Sequence, residues 1–306
     1  MSKILVTGGC GYIGSHTIVD LLENGFQVVS IDNLINGDLA MLTGIEKITG
    51  TRVVNYEVDL CDLEKLENVF KEHPDLQGII HFAALKSVGE SVEKPLLYYH
   101  NNIEGLLNIL SCQRNFRVPN LIFSSSCSVY GNPEKLPVKE DTPIAKAESP
   151  YARTKQIGED IIQDFAKIQT DFRGILLRYF NPAGAHETIH IGESPINQAS
   201  NLVPVITETA IGKRSSMKVF GIDYPTRDGS CIRDYIHIMD LANAHTKALQ
   251  YILAGRLKTM VDIYNLGIGE GVTVLEAINA FEKTTGVKFK LYDRGPPSWR
   301  CGSCLC

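Results

Sequence analysis

Gly8, Gly11 and Gly14 follow directly on the apolar run 3–7, and this placement constrains the fold more than any other feature of the chain. A short apolar run of this kind reads as a buried strand. Residues 15–24 carry Ile18, Val19, Leu21 and Leu22 at helical spacing, and Gly25 closes the segment. A second apolar strand follows at 27–31, with Asp32 at its end. Strand, glycine turn, helix, strand and acid in this order form a β–α–β unit. The glycines permit a tight turn and let backbone approach a pyrophosphate at the helix N-terminus. Gly8, Gly11, Tyr12, Ile13 and Gly14 are therefore expected to hold the diphosphate of a dinucleotide, and Asp32 the adenine-ribose hydroxyls. A carboxylate there repels a 2′-phosphate, so the expected cofactor is NAD.

The strand–helix rhythm continues. Strands are expected at 52–56, 78–84, 120–126 and 173–178, and helices at 63–71, within 95–116 and at 151–167. Repeated β–α units predict an α/β fold with a doubly wound parallel sheet of Rossmann type. Ligands of such sheets bind beyond the carboxyl ends of strands, where Asp32, Asp59, Ala83, Ser126 and Asn181 fall. After Asn181 the rhythm breaks. Residues 187–201 are polar and punctuated by Pro and Gly, which reads as a substrate loop. Helices are expected at 202–211, at 239–253 with Asp240 as cap or first-turn acid, and at 274–285; strands are expected at 217–222 and 262–266. These segments predict a first domain over 1–181 that binds NAD and a second, smaller α/β substrate lobe over 182–306.

Tyr151 and Lys155 stand one helical turn apart and share a face. A phenol is a poor base near neutral pH, but an ammonium one turn away stabilises the phenolate and lowers its pKa. Such a pair can take a proton from an alcohol and return it. Isolated pairs of this kind are common on exposed helix faces; what singles this one out is the fingerprint upstream and Ser126 between. Ser126 ends a strand expected to neighbour the Tyr151 helix, where its hydroxyl can share a substrate oxygen with the phenol. No G-x-S-x-G elbow surrounds it, which disfavours a serine hydrolase.

Net charge is −5, and no basic stripe points to nucleic acid. No apolar run is long enough to span a bilayer. The N-terminus runs straight into a strand, so no secretory signal is expected. Cys10, Cys61, Cys112, Cys127 and Cys231 are scattered through periodic segments and read as buried thiols of a cytoplasmic protein. Cys301 and Cys304 form a single C-x-x-C, which cannot complete a structural zinc site, so no metal is expected.

Together these motifs resemble the extended short-chain dehydrogenase/reductases. Residues 6–16, 32–36, 81–91, 123–131, 177–185 and 233–237 carry the resemblance, which runs from residue 1 to about 294. Residues 85–91 and 223–229 point to the branch that epimerises UDP-hexoses at C4. The resemblance implies that Asp32, Asn33 and Asn36 contact the adenosine ribose and that Asp59 and Leu60 flank the adenine. Phe82, Ala83 and Lys86 would line the cofactor, with further contacts from Asn102 and Tyr179. Tyr151 would be the acid/base, Lys155 would also hold the nicotinamide ribose, and Ser126 would assist. Phe180, Asn181, Asn201, Leu202, Phe220, Arg233 and Arg294 would hold the sugar nucleotide, with the two arginines suited to the diphosphate. The implied reaction interconverts UDP-galactose and UDP-glucose through a 4-keto sugar that turns within the site, gripped by its UDP. The resemblance also implies a return of the chain to the first domain around 235–253, and a homodimer through helices around 101–116 and 151–167.

The ending departs from that pattern. Pro297 stands where the family has an acid, and the chain closes on Cys301, Cys304 and Cys306. An altered transcript end is the expectation, and Cys301 takes the place of a residue that bears on acceptance of N-acetylated sugars. The alternatives are a sister dehydratase or decarboxylase that also starts through a 4-keto sugar, and an NAD-binding form without turnover.

Overall fold

The computed structural model describes residues 1–196, 199 and 201–293. Its centre is a seven-stranded sheet, parallel throughout. Strands β1 (Lys3–Thr7), β2 (Gln27–Ile31), β3 (Val54–Tyr56), β4 (Leu76–His81), β5 (Asn120–Ser126) and β6 (Arg173–Tyr179) come from the first part of the chain. Short strand β7 (Asn181–Ala183) follows, then β8 (Met217–Val219), β9 (Ile232–His237), β10 (Val261–Leu266), β11 (Gly271–Thr273) and β12 (Leu291–Asp293). The order across the large sheet is β10-β6-β5-β4-β1-β2-β3. The chain thus winds one way from β1 and the other way from β4. The crevice between their carboxyl ends is the switch point at which doubly wound sheets bind ligands.

Side-chain alternation explains why helices cover both faces. Ile4 and Val6 of β1, with Ile122 of β5 and Ile175 and Leu177 of β6, enter one core; Leu5, Leu121, Phe123 and Leu176 enter the other. The first core is closed by α1 (Tyr12–Glu23) and α2 (Ala40–Thr49), the second by α3 (Leu63–Glu72). The region expected as one long helix within 95–116 is interrupted. After α4 (Val88–Glu93) come α5 (Pro95–Tyr99), a π turn (His100–Glu104) and α6 (Gly105–Asn115).

Helix α7 (Pro150–Ile168) carries Tyr151 and Lys155. Ser149 caps it by accepting from the Ala152 N–H at 3.1 Å, and Pro150 occupies the first turn, where a missing N–H costs nothing. Gly158 lets the helix lie close on β5: a Cβ there would stand 2.9 Å from the Phe123 ring.

Beyond β7 lies a smaller assembly. It contains α8 (Leu202–Ala210), the three-stranded sheet β11-β9-β7 and the parallel pair β12-β8. α9 (Ile238–Leu253) precedes β10, and α10 (Val274–Thr285) completes the small assembly over an apolar cluster of Ile206, Met217, Val219 and Ile278. The return to the large sheet runs further than 235–253. α9 packs on α1, and β10 pairs in parallel with β6, so residues 261–266 belong to the large sheet rather than to a lobe over 182–306. The physical reason is that β6 would otherwise present a bare edge, which β10 covers. Asp240 lies in the first turn of α9, but the cap is His237, whose Nδ1 accepts from the Met239 N–H at 3.3 Å. No described helix is long and apolar enough to cross a membrane.

Candidate functional site

A cleft opens at the switch point, and its floor is the glycine turn. The Gly8 N–H donates to the Ile31 carbonyl at 2.7 Å, and the Gly11 N–H donates to the Gly8 carbonyl at 3.1 Å. Gly8 has φ +74°, and a Cβ on Gly14 would lie 2.1 Å from the Gly8 oxygen, so neither position tolerates a side chain without movement. Gly11 caps α1 with no side-chain acceptor, and the first turn holds no acid. The leading N–H groups and the positive end of the helix are thereby left for an anion. This cradle fits a dinucleotide diphosphate.

Asp32 lies at the end of β2. Its carboxylate accepts from the Cys10 N–H at 3.0 Å and the Leu34 N–H at 2.9 Å. Burial raises its pKa, and those two backbone donors partly offset the rise. The Asn33 amide donates to Asp59 at 3.2 Å, which joins the loops after β2 and β3 into one wall. Asn36, Leu60, Phe82, Ala83 and Lys86 continue the lining, together with Gly8, Gly11, Tyr12, Ile13 and Gly14.

At the far end the cleft is lined by Ser124, Ser126, Tyr151, Lys155, Tyr179, Phe180, Pro182 and Asn201. The Lys155 ammonium donates to the Ser124 carbonyl at 2.6 Å and lies 6.0 Å from the centre of the Tyr151 ring. The Ser124 hydroxyl pairs with the Tyr179 phenol. Ser126 accepts from the Ser128 N–H at 3.2 Å and is hydrogen-bonded to the Tyr151 phenol. The expectation that the lysine sets the tyrosine's acidity needs correcting. Burial pushes the Tyr151 phenol up to about 12, against the bond from Ser126. Burial also brings Lys155 down to about 8, partly offset by Glu159. In the protein alone desolvation sets the direction of both shifts.

Several expected residues lie elsewhere. Asn102 donates to the Leu85 carbonyl and to the Thr154 hydroxyl, both at 3.0 Å, and accepts from the Leu85 N–H at 2.8 Å. Its polar atoms are spent on holding α7 to the loop after β4, while Asn101 faces the cleft. The π turn shifts which residue faces inward, and periodicity in the sequence carries no sign of it. Asn181, Leu202, Phe220 and Arg233 belong to the smaller assembly and do not line this cleft. Asn181 ties β7 to β9 by donating to the Asp234 carbonyl at 3.0 Å, and Phe220 is half-exposed. Arg294, Pro297, Cys301, Cys304 and Cys306 lie outside the described residues. Sequence reasoning missed Ser124, although it sits two residues before Ser126, on the same face of one strand.

Fold and cleft together define a Rossmann-class protein with a dinucleotide cradle and a Tyr–Lys–Ser grouping at one end. Residues 4–267 match the model of the NAD dependent epimerase/dehydratase family. The chain belongs to that family. It is 47% identical over 296 residues to UDP-glucose 4-epimerase 2 of Arabidopsis thaliana, covering 96% of this chain and 83% of the relative. It is 47% identical over 295 residues to UDP-glucose 4-epimerase of Bacillus subtilis, with 96% and 86% covered. The solved UDP-glucose 4-epimerase from Bifidobacterium longum, in complex with NAD+ and UDP, superposes with a TM-score of 0.94 at 40% identity, over 99% of this chain and 89% of that one.

Proposed function

We propose that this chain is an NAD-dependent UDP-glucose 4-epimerase, which interconverts UDP-galactose and UDP-glucose through a 4-keto intermediate. The observation that carries this reading is the meeting of Tyr151, Ser126 and Lys155 at the end of a dinucleotide cradle. Its context is a chain alike to such enzymes over nearly its whole length. NAD supplies the hydride chemistry when bound. The protein's part is to hold, orient and move a proton. Tyr151 exchanges the proton of the sugar C4 hydroxyl, Ser126 shares that oxygen, and the Lys155 charge favours the phenolate against the effect of burial.

The cofactor is held by Gly8, Gly11, Tyr12, Ile13 and Gly14 at the diphosphate and by Asp32, Asn33, Asn36, Asp59 and Leu60 at the adenosine. Phe82, Ala83, Lys86 and Tyr179 lie along the remainder. The sugar nucleotide is held by Phe180, Asn181, Asn201, Leu202, Phe220, Arg233 and Arg294, so the large sheet serves the cofactor and the smaller assembly the UDP. Firm grip on UDP and a loose one on the sugar let the keto sugar present either face. We also propose a cytoplasmic homodimer. Exposed Val92, Leu96, Leu97 and Leu107 on α4 to α6 support the dimer. The five described cysteines, none of them in a disulfide, support a reducing compartment.

Incubation with UDP-galactose should yield UDP-glucose with no net NADH. A dehydrated or decarboxylated product would replace the reading with that of a sister enzyme, and tight NAD with no turnover would reject it. The reading also sets a pH dependence. Because burial brings Lys155 down to about 8, its charge is present below that pH and lost above it. kcat/KM should therefore fall on the alkaline side of about pH 8. A profile that stays flat to about pH 10, near the reference lysine value, would remove the Lys155 charge from the mechanism.

A further inference from the structure

Cys61, His100 and Glu104 stand together beside the adenine end of the cleft, and the reaction proposed above uses none of them. A ligand atom from each lies within 4.8 Å of the other two. Cys61 sits just before α3. Its N–H donates to the Asp59 carboxylate at 2.9 Å, and its thiol points at the His100 and Asn101 carbonyls, 3.9 and 4.0 Å away. His100 and Glu104 open and close the π turn, with Nδ1 2.5 Å from the carboxylate. Their side chains are 62% and 44% exposed, so an ion reaches them from solvent.

We propose that Cys61, His100 and Glu104 form a binding site for a divalent ion of the zinc class. Sulfur, imidazole and carboxylate are the donor set of such an ion. Tetrahedral ligands at about 2.0–2.3 Å stand roughly 3.3–3.8 Å from one another. Distances of up to 4.8 Å among the three ligand atoms must shorten by about one ångström, and the His100 and Glu104 atoms, 2.5 Å apart, must separate by a little less, both within reach of rotamer adjustment. The Asp59 and Glu104 carboxylates near the sulfur supply negative charge that a cation complements. On binding, the thiol releases its proton to solvent, a sulfur–metal bond forms and the ion gives up bound water. Three protein ligands leave a fourth position for water, so the ion is exchangeable rather than structural. Its effect is to fasten the loop carrying Asp59 and Leu60 to the turn carrying Asn101. The tail's C-x-x-C spacing gives no hint of this site, because its ligands come from two segments some forty residues apart in sequence.

The site stands apart from the epimerase reading and is tested without turnover. The full chain, freed of metal by a chelator, is titrated with Co2+ and Zn2+ beside C61S, H100A and the tail variant C301S/C304S. The parent and C301S/C304S should show a thiolate-to-cobalt charge-transfer band and a rise in Tm with Zn2+. C61S should bind one ion fewer per chain and lose that part of the band, and H100A should bind at least about tenfold more weakly. Equal stoichiometry and spectra with and without Cys61 would overturn the proposal. So would binding that disappears in C301S/C304S but persists in C61S, since the ion would then belong to the tail.

Discussion

Tyr151→Phe is expected to lower kcat by about 10²–10⁴-fold while leaving the purified protein loaded with NAD. The first half follows from the role of the phenol as the group that takes and returns the C4 hydroxyl proton. Loss of that transfer corresponds to about 3–5 kcal/mol of barrier. The second half follows from where cofactor affinity resides. The diphosphate cradle is made of backbone at Gly8, Gly11 and Gly14, on the turn after β1 and the first turn of α1, and the adenosine wall of Asp32, Asn33 and Asp59, on the loops after β2 and β3. None of these depends on the phenol oxygen. Phenylalanine keeps the ring and its packing beside Lys155, so the fold should be unaffected. The measurement is initial rate on UDP-galactose together with NAD content after denaturation. A variant that turns over at the parent rate would displace Tyr151 as the acid/base. One that comes off the column without cofactor would show that the phenol contributes to binding.

The glycine turn, Asp32 and six of the seven strands of the parallel sheet were legible in the sequence because local rules determine them. Apolar runs of five to seven residues separated by helical periods leave few folds available. Element ends were less legible. Residues 82–84 continue the apolar run of β4 but leave the ladder to line the cleft, and residues 52–53 and 220–222 likewise stay outside β3 and β8. The pairing of β10 with β6 was not visible, since a strand carries no label naming its partner. The opposite happened with Asn101 and Asn102. Both were visible, yet only the π turn decides which of the two faces the cleft. The acidity of Tyr151 was misjudged for a related reason. The spacing to Lys155 is written in the sequence, whereas the burial that raises the phenol arises only when β5, β6 and α7 close around the pair.

That same closure sets the largest expected effect on stability. Glu159→Ala should cost about 3–5 kcal/mol in urea unfolding. The Glu159 carboxylate accepts from Arg178 Nε at 2.9 Å, from Arg178 Nη2 at 2.6 Å and from the Ser125 hydroxyl at 2.5 Å. Both charged side chains are almost wholly buried, at 1% and 3% exposure. Arg178 also donates to the Tyr130 hydroxyl at 3.0 Å, which donates in turn to Asn265 at 2.6 Å. One carboxylate therefore binds α7 to β5 and β6 and reaches, through Tyr130, the edge strand β10. Without it a guanidinium is left in the core with no counter-charge, and that desolvation accounts for most of the cost. The double variant Glu159→Leu with Arg178→Met removes both charges at similar volume and should recover much of the loss. A single variant within about 1 kcal/mol of the parent would place the pair among ion pairs that contribute little. The substitution also reaches the chemistry. Glu159 lies one turn from Lys155 and holds its pKa above the value that burial alone would give. Glu159→Gln should therefore move the alkaline limb of kcat/KM to lower pH, a shift that lost stability alone does not produce.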